Sequence, residues 1–154
     1  MELPAANIRS SRYYIAQTDA ACGNCGATSR VFAVALPPDH ETPIDGLWQI
    51  AQAHAFVFYI LELPPPVIRR LRELCGGFRV SGGKAAADLY WANHCEHCGS
   101  RFSDDDLHCE PGVFMPGGPD EAERIGLKHV AEEFSAVAAG YALGPEFFGS
   151  MRKC

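Results

Sequence analysis

The chain lacks any apolar run long enough to cross a bilayer. The longest, AFVFYIL from Ala55 to Leu61, is seven residues, where a spanning helix needs about 20. It also lacks a basic excess. Thirteen Lys and Arg stand against nineteen Asp and Glu, a formal net charge of −6, which argues against nucleic acid because phosphate binding requires a basic face. The opening MELPAANIRSSRYY contains no apolar stretch of the signal-peptide kind, so a cytoplasmic location is expected. No H-E-x-x-H, G-x-S-x-G or phosphate-loop pattern occurs. His94-Cys95-Glu96 matches the H-x-E half of a zinc deaminase signature, but the P-C-x-x-C half is missing. These absences point away from an enzyme.

Composition is that of an ordinary globular chain, 47% hydrophobic and 21% charged, and 154 residues suffice for one domain with its own core. The expected organisation is a single metal-binding domain over residues 1–154. Its expected fold class is α+β: mainly antiparallel strands, one or two short helices, and a zinc-ribbon-like site made by two CxxC knuckles.

Residues 11–18 (SRYYIAQT) read as a strand running into the turn ACGNCG. Thr28 to Leu36 follows as a second strand, with Val31, Ala33 and Ala35 alternating against Phe32, Val34 and Leu36. LPPDHETPIDG, rich in proline, is expected to be an exposed loop. His54 to Leu63 is the best buried-strand candidate. Three prolines then open a helix on which Val67, Ile68, Leu71 and Leu74 share a face, with Arg69, Arg70 and Arg72 largely opposite. FRVSGGKAAADLYWA suggests two short strands about a glycine turn, the second (Asp88 to Ala92) leading to Cys95. SDDDLHCEPG is expected to be an acidic, solvated turn or one helical turn, with Ser103 placed to cap it. Pro116 to Pro119 breaks the chain. Glu123 to Val130 alternates like a strand, and Ala131 to Tyr141 reads as helix from the spacing of Phe134, Val137 and Tyr141.

Seven cysteines, an odd number, fit a disulfide framework poorly, and in a reducing compartment they point to metal binding or thiol chemistry. Cys22-Gly-Asn-Cys25-Gly and Cys95-Glu-His-Cys98-Gly have one shape. Each pair of intervening residues lets a turn aim two sulfurs at one point, and the trailing glycine accepts a conformation that other residues resist. Each turn supplies half a tetrahedral thiolate shell. One structural Zn²⁺ is the expected occupant, with iron as the alternative for a soft shell. Sixty-nine residues separate Cys25 from Cys95, far more than the ~15–20 of many zinc ribbons. The segment 27–94 is therefore expected to be a folded insertion whose ends return together, since loop closure costs only about 0.6 kcal/mol per doubling of length. His94 and His97 are expected to be surface histidines beside a shell that four sulfurs already complete. His108 and Cys109 form a further pair that nothing at suitable spacing completes.

YWANHCEHCG, followed by DLHCEPGVF, and the earlier CGNCGATSRVFAV resemble a group of small, largely uncharacterised bacterial proteins with a two-CxxC zinc-ribbon-like element. The resemblance covers about a third of the chain and is concentrated at Cys22–Val34 and Tyr90–Phe114. It implies that Cys22, Cys25, Cys95 and Cys98 are the metal ligands, and it implies no reaction.

Two functional readings follow. The first is a structural-zinc binding or interaction module with a protein partner, since a closed four-thiolate shell leaves no position for catalysis. Tyr90, Trp91, Trp48 and the arginine helix are its candidate contact surface, set against packing in the core. The second is a redox- or metal-responsive thiol protein, with Cys75, Cys109 and Cys154 as resolving thiols. No membrane association is expected, and the oligomeric state is left open.

Overall fold

A computed structural model describes residues 6–81, 89–108, 113–116, 118–143, 149 and 151–153. Eleven strands join in one sheet system. In chain order they are β1 (Ile8–Ser10), β2 (Tyr13–Ala21), β3 (Thr28–Leu36), β4 (Glu41–Ile44), β5 (Leu47–Ile50), β6 (Ala55–Glu62), β7 (Phe78–Ser81), β8 (Tyr90–Asn93), β9 (Gly126–Val130), β10 (Phe134–Leu143) and β11 (Arg152–Lys153). Their order is β11-β9-β2-β3-β6-β10-β1-β4-β5, with β8 branching from β6 and β7 pairing with β8. Among the described residues every pairing is antiparallel except β11 with β9. Three short helices occur among the described residues, one more than the upper expectation: α1 (Pro65–Leu74), α2 (Asp104–His108) and α3 (Pro119–Ala122). None is long and apolar enough to cross a membrane.

The central strands are buried on both faces. From β3, Phe32, Val34 and Leu36 enter one core with Tyr13, Ile15, Val57 and Trp91, roofed by Val67 and Leu71 of α1. Val31, Ala33 and Ala35 enter the other with Phe56, Phe102, Leu107 and Phe114. Helix α1 forms because Pro65 and Pro66 preset its first turn and Val67 and Leu71 recur one turn apart. Burying each of those side chains contributes about 1.5–3 kcal/mol. Arg70 on its outer side pairs with Glu132 at 2.6 Å and Glu73 at 3.1 Å, all three exposed to a similar degree.

Strand β6 changes partners midway, and one residue absorbs the change. Residues 55–57 pair with β3, whereas Ile60 pairs with Trp91 of β8. Val57 and Ile60 lie in the same core although they are three apart, which strict alternation forbids. Tyr59 between them has φ of +50°, costly for an aromatic residue. The Oδ2 of Asp104 accepts the Tyr59 amide at 2.7 Å.

Three expectations are corrected. The supposed loop LPPDHETPIDG contains β4, which pairs with β5 around Asp45 and Gly46, both at positive φ (52° and 80°). This is the Asp-Gly signal of a tight hairpin. His40, expected on an exposed loop, is fully buried. Ala131 to Tyr141 is not helical: β10 pairs with β1 over Phe134–Ala136 and with β6 from Val137 onward, and Phe134, Ala136 and Ala138 are buried at alternate positions. Its alanines gave periodicity little to act on. Of the aromatics weighed between contact surface and core, Tyr90 and Trp91 pack in the core, as the packing reading expects, and Trp48 lies beneath the Arg9 guanidinium at 3.9 Å. The glycine turn expected between β7 and β8 falls in 82–88, outside the described residues, as do Cys109 and Cys154.

Candidate metal centre

The two cysteine turns have one local geometry. In the first, the Cys22 amide donates to Ala27 O at 2.8 Å and the Gly26 amide to Cys22 O at 2.8 Å. In the second, the Cys95 amide donates to Ser100 O at 2.8 Å and the Gly99 amide to Cys95 O at 3.0 Å. Gly26 and Gly99 share φ of +77°, the left-handed region that glycine enters without steric cost. The turn aims amides at sulfur: Asn24 N lies 3.4 Å from Cys22 Sγ, and His97 N lies 3.4 Å from Cys95 Sγ.

Strand β3 closes the 69-residue gap. It leaves the first turn and passes the end of β8, which enters the second. Beyond its pairing with β6, β3 would have open backbone groups at Phe32. Asn93, buried at the end of β8, fills that place with its side chain. Its Oδ1 accepts from Phe32 N at 2.8 Å and its Nδ2 donates to Phe32 O at 2.8 Å, so one amide side chain acts as a peptide group of a neighbouring strand. Nearer the turns, the Ser29 hydroxyl donates to Cys95 Sγ at 3.5 Å and accepts from Glu96 N at 2.8 Å.

The result gathers the four predicted cysteines. The sulfurs of Cys22, Cys25, Cys95 and Cys98 all lie within 4.8 Å of one another. Cys22 Sγ to Cys98 Sγ and Cys25 Sγ to Cys95 Sγ are each 3.6 Å. A disulfide needs about 2.05 Å. A tetrahedral thiolate shell with bonds of about 2.3 Å has edges of about 3.8 Å, so the spacing fits four ligands around one ion. One sulfur of each turn is buried (Cys22, Cys95) and one exposed (Cys25, Cys98).

Electrostatics point the same way. The Ser100 and Asn24 side chains hold the Cys98 thiol down to about 5. The Ser29 hydroxyl, helped by the Cys98 and His97 amides, holds Cys95 down to about 7. The Ala27 amide favours ionised Cys25, but burial and the neighbouring sulfurs outweigh it and push that thiol up to about 11. Thiolates this close cannot all ionise without a cation among them. With a divalent ion bound, the centre would carry about −2.

Neither histidine faces the sulfurs as a ligand. His94 is buried, which corrects its expected surface position. Its Nδ1 lies 3.0 Å from Gly77 O and its Nε2 2.6 Å from Ser81 Oγ. The Gly77 carbonyl can only accept, so Nδ1 carries the proton and Nε2 accepts from the Ser81 hydroxyl. Burial lowers its pKa. His97 Nε2 donates to Thr28 O at 3.2 Å. The acidic run is not simply a solvated turn either, because Asp104 is 3% exposed and holds the β6 kink. Sequence reasoning missed Asn93, Ser29 and Asp104. The available signal was polarity within buried segments, an asparagine ending YWAN and an acid opening α2.

These features define a class: a predominantly antiparallel β-sheet protein whose two CxxC knuckles meet in a four-cysteine cluster positioned to hold a metal ion. No protein-family model matches the chain, and no curated protein or solved structure is significantly similar to it.

Proposed function

We propose that the cluster holds one structural Zn²⁺ and that the protein is a non-catalytic interaction module whose partner is another protein. The observation that carries this reading is the closed, four-sulfur arrangement joining both knuckles. Four thiolates complete a tetrahedron, so the ion would serve to fix the two turns rather than to activate water. Zinc binding is worth roughly 10–16 kcal/mol in small zinc-finger peptides, comparable to the whole stability of a domain at about 5–15 kcal/mol. The chain's acidic balance favours a protein partner over nucleic acid.

The redox alternative draws on the low Cys98 pKa. It is disfavoured because the 3.6 Å sulfur pairs each join different knuckles, whereas CxxC exchange pairs the two cysteines of one turn. Cys75, one of its resolving thiols, is 1% exposed.

Elemental analysis of purified protein is the test. About one zinc per chain is expected, with Cys22→Ser and Cys98→Ser each lowering metal content and solubility. Cobalt exchanged into the wild type should give the charge-transfer bands of a tetrahedral tetrathiolate. Full zinc in both serine variants would refute the assignment.

A further inference from the structure

A cleft of about 770 Å³ opens beside the metal centre, on the face of the sheet opposite α1. The first knuckle contributes Cys22 to Asn24 to its wall, and the segment that leaves the second contributes Ser100 to Phe102. Its size lies within the range of ligand sites, about 300–1,000 Å³. Phe102, Leu107, Val113 and Met115 give it an apolar lining.

Charge decides what fits there. The described lining residues include three carboxylates, on Asp19, Asp106 and Glu121, and two guanidinium groups, on Arg101 and Arg124. Arg101 is engaged outside the lining: its guanidinium stacks over the Tyr90 ring at 4.5 Å and donates to Ser81 O at 3.1 Å. Among the described residues, the Asp19 carboxylate, 64% exposed, has a single ionic contact, at 3.9 Å to Arg30. Even with Arg124 counted, carboxylates outnumber guanidinium groups in the described lining, and beside its apolar side chains that balance suits a cation with apolar neighbours.

We infer that this cleft is the docking site of a basic, amphipathic peptide segment of a partner protein, with a Lys or Arg side chain held between Asp19 and Asp106 and its apolar neighbours laid against Leu107, Val113 and Met115. This rests on the interaction-module reading and names the partner's chemistry. Recognition needs both parts. Carboxylates steer and orient the cation, and the apolar lining retains the segment.

The test uses the full, zinc-loaded chain and three acetylated hexapeptides: KLKLKL, the charge-reversed ELELEL, and KSKSKS, which keeps charge and loses apolar area. Affinity is read by fluorescence anisotropy and location by amide shift changes in ¹H–¹⁵N spectra. The expected result is that KLKLKL binds at least tenfold tighter than either control. Its shifts should centre on Asn24, Ser100, Leu107, Val113 and Met115, and its affinity should fall with added salt. Asp19→Asn with Asp106→Asn, both on exposed side chains, should weaken KLKLKL at least tenfold while circular dichroism is unchanged. Glu133→Gln, far along the chain and exposed, should leave it unchanged. Absence of binding, equal binding of KLKLKL and ELELEL, an unaffected double variant, or shifts centred elsewhere would each overturn the assignment. Zinc per chain is measured on the same samples. Zinc present without peptide binding sinks the cleft assignment alone, and peptide binding without zinc sinks the structural-zinc reading alone.

Discussion

Replacing Asn93 tests how the two distant knuckles are brought together. Its side chain makes two 2.8 Å hydrogen bonds with the backbone of Phe32, and Asn93 is 1% exposed. Asn93→Leu, similar in volume, would leave the Phe32 N–H and C=O buried without partners. Each such group costs about 1–3 kcal/mol, so the loss is roughly 2–6 kcal/mol, less whatever the added apolar contact returns. Asn93→Asp separates hydrogen bonding from packing. Its carboxylate can still accept from Phe32 N–H, but it meets Phe32 O with a second lone pair and brings a buried charge, so it too should destabilise. Because Asn93 lies two residues before Cys95, the loosened β8 should also release zinc more readily. Urea unfolding gives the stability, and competition with a chelator gives the zinc off-rate, expected to rise at least tenfold in both variants. A stability change below about 1 kcal/mol in Asn93→Leu, with an unchanged off-rate, would refute the idea that this side chain sets the register of the knuckles.

Three further outcomes are expected. His108 is stacked against Phe58 and Phe114 at 4.8 and 5.2 Å, and burial holds its pKa down to about 3. Its folded pKa lies below the unfolded value of about 6.5, so stability is full above that value and lost as pH falls from about 6.5 towards 3, at about 1.4 kcal/mol per unit. His108→Phe should therefore lose about 2 kcal/mol less than wild type between pH 6.5 and 5 in urea titrations, and equal losses would contradict this. Gly140 faces Phe58 across the β6–β10 pair, and a Cβ there would sit 2.4 Å from Phe58 Cε2. With that ring held against His108, Gly140→Ala should cost about 1–3 kcal/mol of unfolding free energy, and an unchanged denaturation midpoint would count against it. Cys75 is buried, which pushes its thiol up to about 12. It should resist alkylation of the native, zinc-loaded chain at pH 8 and react only on unfolding, as peptide mass mapping would show. Modification at the rate of a free thiol would contradict the packing under α1.

Sequence alone determined the local elements and the four cysteines that cluster. Two CxxC-Gly turns are legible because two sulfurs and a left-handed glycine are a local requirement, met within five residues. The same locality made β3 and α1 readable, since their alternation and helical spacing record the faces they bury. Tertiary structure decided the rest. The alanine-rich stretch of β10 has little periodicity of its own and is a strand because β6 and β1 offer it backbone partners. The convergence of the knuckles depends on Asn93 completing the ladder of β3, and the partner change of β6 depends on Asp104 catching the Tyr59 amide. Those contacts span 61 and 45 residues, and the energy that selects them resides in buried backbone groups that must find a partner somewhere. No local pattern records which partner that will be.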